Sequence, residues 1–189
     1  MGLIFKWLAA IALGVALGLF VTWNALFRGA SMGGDVADGP WRTSLLTGSN
    51  QSGMGLRAKV ALHGLFALNS SETIYYTATA DSSGRKLDGA CRYRIDGRDP
   101  PTRWWSITAY GADDFLIPNA GNRYSVSMNS VTRDKTGAFS VHVSPRPSDE
   151  IATAPGAFSL TLRLYNPAPQ VAADPAHVAL PTISRESCP

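Results

Sequence analysis

An uncharged apolar run near the N-terminus constrains this chain more than any other feature. It occupies residues 7–27 within MGLIFKWLAAIALGVALGLFVTWNALFRG and, at about 21 residues, has the length of a helix that crosses a bilayer. Trp7 and Trp23 lie near its two ends, where aromatic residues meet lipid headgroups. A cleaved signal peptide is the alternative, but the run is long and no small-x-small cleavage site follows it. We therefore predict a single transmembrane helix, with residues 1–27 as the anchor.

Charges beside the run predict its orientation. Lys6 precedes it, whereas Arg28 follows it and is soon balanced by Asp35 and Asp38. Basic residues tend to stay on the cytoplasmic side, so this weak bias places the N-terminus in the cytoplasm and the remaining chain outside. We expect the anchor to contact the lipid bilayer and the rest of the protein to be extracytoplasmic.

Small residues recur every four positions in the run, at Ala10, Gly14 and Gly18. Such a stripe lets a second helix approach closely, and close packing is what drives helix association in a bilayer. We expect a membrane-protein partner or a second copy of this chain at the stripe. The alternative is that small residues are simply common in membrane helices.

Two cysteines, Cys91 and Cys188, lie far apart and lack the spacing of metal ligands. In a domain outside the cytoplasm, such a pair predicts one disulfide. Two unpaired buried thiols are the alternative.

The segment after the anchor predicts a change of structure. Residues 28–44 are rich in Gly, Asp and Ala and predict a flexible tether. Residues 45–189 then form the folded domain. Within it, residues 52–68 are apolar on nearly every side and predict a packed helix, in which we interpret His63 as structural.

From Thr73 onward the hydrophobic period changes to two, which is typical of half-buried strands. The clearest examples are AFSVHV and AFSLTLRLY, in which Phe, Val or Leu alternate with Ser, Thr, His or Arg. The 18 glycines and 12 prolines fit many turns between short strands. This pattern predicts a mainly β domain, either a sandwich or a barrel.

The stretch RWWSITAYGADDFLIPNAGNRYSV predicts a β-meander. Its strands would be RWWSITAY, FLIP and RYSVSM, separated by turns at GADD and NAGN. Trp105, Ile107 and Ala109 would face the core.

Aromatic and basic side chains remain outside this core face. We predict that six of them line a ligand-binding groove at one end of the domain. They are Trp104, Tyr110, Arg123, Tyr124, Arg163 and Tyr165. The alternative is that they cover the second face of a sheet.

Other chemistries find little support. A net charge of +3 without a Lys/Arg cluster argues against nucleic-acid binding. No histidine has a second ligand at metal-binding spacing, no nucleophile elbow or phosphate-binding loop occurs, and Asp113 and Asp114 resemble turn residues. We therefore expect no metal and no cofactor, and we favour a non-catalytic protein over an enzyme.

Five blocks of the sequence recur in order in one family of bacterial proteins. They are RAKVALHGLFALNSSETIYYTATAD, GRKLDG, RWWSITAYGADDFLIPNAGNRYS, FSLTLRLYNP and LPTISRESC, and the resemblance covers about residues 53–188. On these blocks the chain resembles the domain-of-unknown-function family 1214. The resemblance implies a jelly-roll-like antiparallel β-sandwich, often the C-terminal half of larger two-domain proteins. This chain looks like a short, membrane-anchored branch, and the resemblance implies no reaction and no catalytic residues.

Two functions follow as expectations. The first is a non-catalytic periplasmic domain anchored in the bacterial inner membrane, an accessory subunit or interaction module of an envelope complex. The second is a domain that binds, or hydrolyses, an envelope lipid or glycan.

Overall fold

The computed structural model describes residues 2–24, 35–46, 53, 57–58 and 68–189. The expected packed helix over residues 52–68 lies largely outside the described residues, and so does His63. The first part of the expected tether, through residue 34, is outside them as well.

The apolar run forms helix α1, Gly2–Trp23. Ala, Leu and Ile dominate it, and it contains no proline, so the helical hydrogen bonds run without interruption. Its segment Ile4–Trp23 has a mean hydropathy of 2.2 and none of it is buried against the rest of the chain. The helix is long and apolar enough to cross a membrane, a test that a signal sequence also passes.

Beyond α1 the described chain is mainly β, as the period-two patterns predicted. Ten strands and one short helix follow one another. They are β1 Asp35–Asp38, β2 Trp41–Ser44, β3 Thr73–Ala78, β4 Arg92–Arg98, β5 Thr102–Gly111, β6 Ser125–Ser127, β7 Ala138–Ser144, β8 Ile151–Ala152, β9 Phe158–Pro167, α2 Pro169–Ala173 and β10 Thr182–Ser187.

The described strands form two sheets. One has six strands in the order β1-β2-β3-β9-β5-β6, and all its neighbours are antiparallel. The other has four strands in the order β10-β4-β7-β8 and is mixed, because β7 and β8 are parallel. Strand β9 lies between β3 and β5, far from both in sequence.

The two sheets share one hydrophobic core. Alternate residues of each long strand point into it, and Trp105 of β5 stacks on Phe139 of β7 with ring centroids 4.8 Å apart. Tyr93 of β4 meets Phe158 of β9 edge to face at 5.7 Å. Trp105, Ile107 and Ala109 are at most 1% exposed, as expected for the core face of that strand.

The expected flexible tether is wrong for its second half. Asp35–Asp38 and Trp41–Ser44 pair as an antiparallel hairpin at the edge of the six-stranded sheet. Trp41 is fully buried, and its indole N–H donates to the carbonyl of Pro181 at 2.7 Å. Asp38 and Gly39 are the sequence signal for such a turn, since Gly39 has φ of +56°.

The expected strand at FLIP is also wrong. The amide of Gly111 donates to the carbonyl of Phe115 and closes a tight turn after β5. Only Leu116 returns to β5, through a single bridge with Tyr110. Phe115 is 74% exposed, so the apolar residues of this segment do not mark a buried strand.

The C-terminal tail forms a strand with a register shift between Arg185 and Ser187, although its sequence lacks a clear period. Strand β10 pairs antiparallel with β4, with Ile183 opposite Ile95. The predicted disulfide between Cys91 and Cys188 is confirmed and closes a sequence separation of 97 residues.

Candidate functional site

Four of the six predicted ligand-binding residues share the outer face of the six-stranded sheet. Trp104 and Tyr110 lie on β5, and Arg163 and Tyr165 lie on its neighbour β9. Each is half-buried, whereas the alternate residues of both strands point into the core. The face results from strand alternation, because the large apolar residues occupy the other parity.

Trp104 and Tyr165 form one end of this face. They are directly opposite in the β5–β9 register, and their ring centroids are 5.2 Å apart at an interplanar angle of 57°. The pair presents two aromatic rings side by side on a sheet surface.

Arg163 is held in the middle of the face by hydroxyl groups and aromatic rings. Its Nη1 donates to Oγ1 of Thr108 at 3.1 Å, and its Nη2 donates to the hydroxyl of Tyr110 at 2.6 Å. The guanidinium carbon lies 5.4 Å from the ring of Tyr110 and 6.0 Å from the ring of Tyr75, distances typical of cation–π contacts.

Tyr75 was missed in the sequence. It faces Arg163 because β3 pairs with β9 at that register. The alternation of Tyr75 with the buried Tyr76 indicated that one of the two tyrosines faces outward. The sequence alone does not show that Tyr75 lies beside Arg163, because this contact depends on the pairing of β3 with β9.

Arg123 and Tyr124 lie away from this cluster, in the segment that leads into β6. Arg123 donates through Nη1 to the carbonyls of Arg146 at 3.1 Å, of Pro147, and of Asp149 at 2.6 Å. Tyr124 donates to Oδ1 of Asn122 at 3.1 Å. Arg123 therefore stabilises the turn between β7 and β8. The structure brings together only four of the six predicted residues.

We call the remaining set the aromatic–arginine face, defined as Tyr75, Trp104, Tyr110, Arg163 and Tyr165. Outward positions around it on β2, β3, β5, β6 and β9 carry Ser and Thr, apart from Arg42 on β2 and Pro167 at the end of β9. Between Trp104 and Tyr110 of β5 and along the facing strands, the described outward positions include no Asp or Glu.

The outer face of the four-stranded sheet has the opposite character. Its basic and acidic groups pair with one another: Arg92 with Asp149 at 2.8 Å and with Glu186 at 2.7 Å, and Arg94 with Asp96 at 2.8 Å. Burial raises the pKa of Asp149, but hydrogen bonds from Arg92 and Ser144 outweigh it and hold that pKa below its usual value. This charged network stabilises the sheet and leaves little charge for a ligand.

A shallow cleft of about 280 Å³ lies at one end of the four-stranded sheet. It contains none of the six predicted residues and includes the C-terminal tail. Its lining residues are Ala90, Arg92, Ser144, Pro145, Arg146, Ser187, Cys188 and Pro189.

The His and Asp side chains considered for metal or acid–base chemistry have local partners in the described structure. Among the described residues, no three His, Cys, Asp or Glu side chains lie close enough to hold a metal ion. His177 pairs with the nearby Asp174 at 2.9 Å, and this carboxylate raises its pKa at an exposed position. Asp113 accepts a hydrogen bond from the amide of Phe115 at 3.1 Å, and Asp114 has φ of 64°, so both are turn residues.

Comparisons with known proteins concern the fold and the family. A family model described as "Protein of unknown function (DUF1214)" matches residues 72–169, slightly more than half of the 189 residues. No curated protein matches the chain.

Two solved structures are similar to the chain. The VPA0106 protein from Vibrio parahaemolyticus has a TM-score of 0.58 and 23% sequence identity, over 72% of this chain and 36% of that chain. A putative uncharacterized protein from Burkholderia cenocepacia has a TM-score of 0.46 and 14% identity, over 88% of this chain and 38% of that chain. This chain thus spans well under half the length of either, and the likeness to VPA0106 supports the fold alone.

Proposed function

The chain belongs to the DUF1214 family, and we propose that it is a non-catalytic interaction module held at the bacterial inner membrane by α1. In this proposal the helix crosses the membrane once with its N-terminus in the cytoplasm, and the β domain is a periplasmic accessory subunit of an envelope complex. The chain is then a short, membrane-anchored branch of the family. Its two sheets would form a jelly-roll-like sandwich, which the non-sequential strand order supports.

One observation carries the proposal: no residue of α1 over Ile4–Trp23 is buried, although the β domain has a hydrophobic core of its own. Exposing some twenty apolar residues to water is costly, so the helix needs a lipid environment or another helix. The disulfide and the apolar helix, whether signal or anchor, together indicate that the β domain lies outside the cytoplasm.

The surface of α1 supports a helical partner. Ala10, Gly14 and Gly18 lie along one stripe, and a Cβ atom built on Gly14 or Gly18 meets nothing within 4 Å. Lipid tails solvate leucine as well as a protein does, so backbone approach at small residues favours a specific contact. A partner membrane protein or a second copy of this chain would occupy the stripe.

The test is gentle detergent extraction followed by identification of co-purifying membrane proteins. Gly14→Leu with Gly18→Leu should reduce co-purification about tenfold or more, because the leucines block close approach. Ala12→Leu with Ala16→Leu is the matched control, since it places two leucines on the opposite side of the helix. Retention of every partner and of self-association by the Gly14/Gly18 variant would contradict the proposal.

The aromatic–arginine face favours a second candidate function, binding of an envelope glycan or lipid. Its specific support is Arg163, a half-buried cation framed by aromatic rings on a sheet surface. The two candidates differ in location: the first depends on α1, whereas the second depends on β5 and β9. Hydrolysis receives no support from the described residues, because no nucleophile with a neighbouring base lies on this face.

A further inference from the structure

The side chain of Arg163 keeps unused hydrogen-bonding capacity. A guanidinium carries five N–H donors, and two of them donate to Thr108 and Tyr110. Both acceptors are neutral hydroxyls, and within the described part of the chain no carboxylate forms an ion pair with Arg163. A half-buried positive charge without a counterion favours an anionic ligand, because taking the charge out of water is otherwise uncompensated.

The outer faces of the two sheets differ in how their arginines are paired. On the four-stranded sheet, Arg92 and Arg94 each pair with a carboxylate within 2.8 Å. On the six-stranded sheet, Arg163 and the exposed Arg42 share their face with Ser, Thr and aromatic residues. The outer face of β2, β3, β9, β5 and β6 therefore carries Arg42 and Arg163 without a carboxylate, whereas Arg92 and Arg94 of the four-stranded sheet pair with theirs.

The rings of Trp104 and Tyr165 lie close to the unused N–H donors of Arg163. Tyr165 is two residues from Arg163 on the same face of β9, which is about 7 Å along the strand. Trp104 lies beside Tyr165, and its indole N–H has no hydrogen-bond partner within the described residues. A flat ligand can thus contact the rings at one end and an arginine at the other.

We propose that the aromatic–arginine face binds an acidic sugar, with the pyranose ring on Trp104 and Tyr165 and its carboxylate on Arg163. A pyranose offers an apolar ring face to an aromatic surface, and a planar carboxylate matches the fork of a guanidinium. Half-buried hydroxyls such as those of Thr77 and Ser159 provide partners for the hydroxyl groups of the sugar, whereas Ser106, Thr108 and Thr161 are buried. This inference deepens the second candidate function and rests on it.

The experiment measures binding of galacturonate oligomers to the full chain in neutral detergent micelles, by calorimetry and tryptophan fluorescence. The methyl-esterified oligomer is the matched ligand, because it keeps the ring and removes the charge. The native protein should bind the acid at least tenfold more tightly than the ester.

Variants assign the site. Arg163→Gln should weaken binding of the acid about tenfold to hundredfold, the range of a charge-assisted hydrogen-bonded pair. Trp104→Ala should weaken both ligands by about tenfold, through loss of apolar contact. Arg94→Gln makes the same change of charge on the opposite sheet and should leave binding unchanged.

Several outcomes would overturn the inference: no binding of the acidic oligomer at millimolar concentration, equal binding of acid and ester, or native affinity in Arg163→Gln. Circular dichroism of each variant shows whether it is folded. If Arg163→Gln is unfolded, Arg163→Lys replaces it, and it should bind more weakly because lysine lacks the fork. Co-purification through α1 is a separate readout, so failure of the sugar site leaves the anchored-module proposal to its own test.

Discussion

At the scale of single residues, the fold sets the pKa values of its buried acids in opposite directions. Asp38, in the turn of the β1–β2 hairpin, has a raised pKa because burial disfavours its charge and the backbone of Val178 and His177 compensate only in part. Its Oδ2 atom is buried and has no hydrogen-bond partner. Asp149 has a lowered pKa, because its partners outweigh the effect of burial.

Asp38→Asn should stabilise the protein at neutral pH. A raised pKa in the folded state means that Asp38 contributes stability below its unfolded pKa of 3.8 and loses it as pH rises through the folded value. At pH 7 the buried charge is therefore a cost, and its removal should raise the free energy of unfolding by about 1 kcal/mol. Urea unfolding at pH 7 measures this. Asp88→Asn is the contrasting control, because backbone amides of Ala90 and Gly156 lower the pKa of Asp88 and its loss should destabilise.

Asp149→Asn should lower the free energy of unfolding by about 2 kcal/mol, because Arg92 and Ser144 lose a charged acceptor in a buried position. The contribution of this lowered pKa is present above the unfolded value and is lost as pH falls through the folded value. The variant should therefore lose less stability than the native protein on acidification below pH 4. Asp96→Asn breaks the exposed pair with Arg94 and should cost less than about 0.5 kcal/mol. Equal effects of the two variants would contradict this prediction.

At the scale of elements, backbone pairing fixes segments whose side-chain pattern does not predict a strand. Strand β10 joins the four-stranded sheet along β4, and Ile183 is its fully buried anchor in the core. Cys188 then links the end of this strand covalently to Cys91, just before β4. The C-terminal segment is therefore attached to the edge of the four-stranded sheet both by backbone hydrogen bonds and by a disulfide.

Replacing Cys91 and Cys188 by alanine should destabilise the domain by about 4 to 5 kcal/mol, the loop-closure contribution for a loop of this length. Guanidinium unfolding of the variant measures the loss. The native protein unfolded with a reducing agent should show the same midpoint as the variant, because both lack the bond. Non-reducing peptide mapping that finds both thiols free would contradict the disulfide itself.

At the scale of the whole molecule, the chain combines an apolar helix with no buried residue over Ile4–Trp23 and a β domain with a hydrophobic core. Helix α1 has no buried segment over Ile4–Trp23, whereas the two sheets enclose more than twenty buried apolar side chains. An apolar helix exposed in this way, whether signal or anchor, favours a lipid environment or another helix. A signal sequence and a membrane anchor both have this property.

Protease added to intact spheroplasts should degrade the β domain, because the proposed orientation places it outside the inner membrane. Mass spectrometry of the membrane-extracted protein should find the apolar helix retained. An N-terminus beyond about residue 30 would show that the helix is a cleaved signal. Survival of the domain in spheroplasts would place it in the cytoplasm and contradict the proposed topology.

The sequence by itself determined those features that depend on local periodicity. The apolar run of α1 and the alternation in β5, β7 and β9 were predicted, because helix and strand periods appear in the order of the residues. The core face of β5 followed from the same alternation. The disulfide was one of two alternatives, since spacing alone does not pair cysteines.

Only the tertiary structure decided which residues of different strands are neighbours. Arg163 meets Tyr75 and Tyr110 because β9 lies between β3 and β5, and strand order is not encoded in any one strand. Arg123 was expected on the same surface, but its segment carries it to the carbonyls between β7 and β8. Strand β10 escaped prediction because backbone hydrogen bonds require no side-chain pattern. Long-range strand pairing therefore decided which residues meet in the candidate site. The local alternation in each strand decided only which residues face outward.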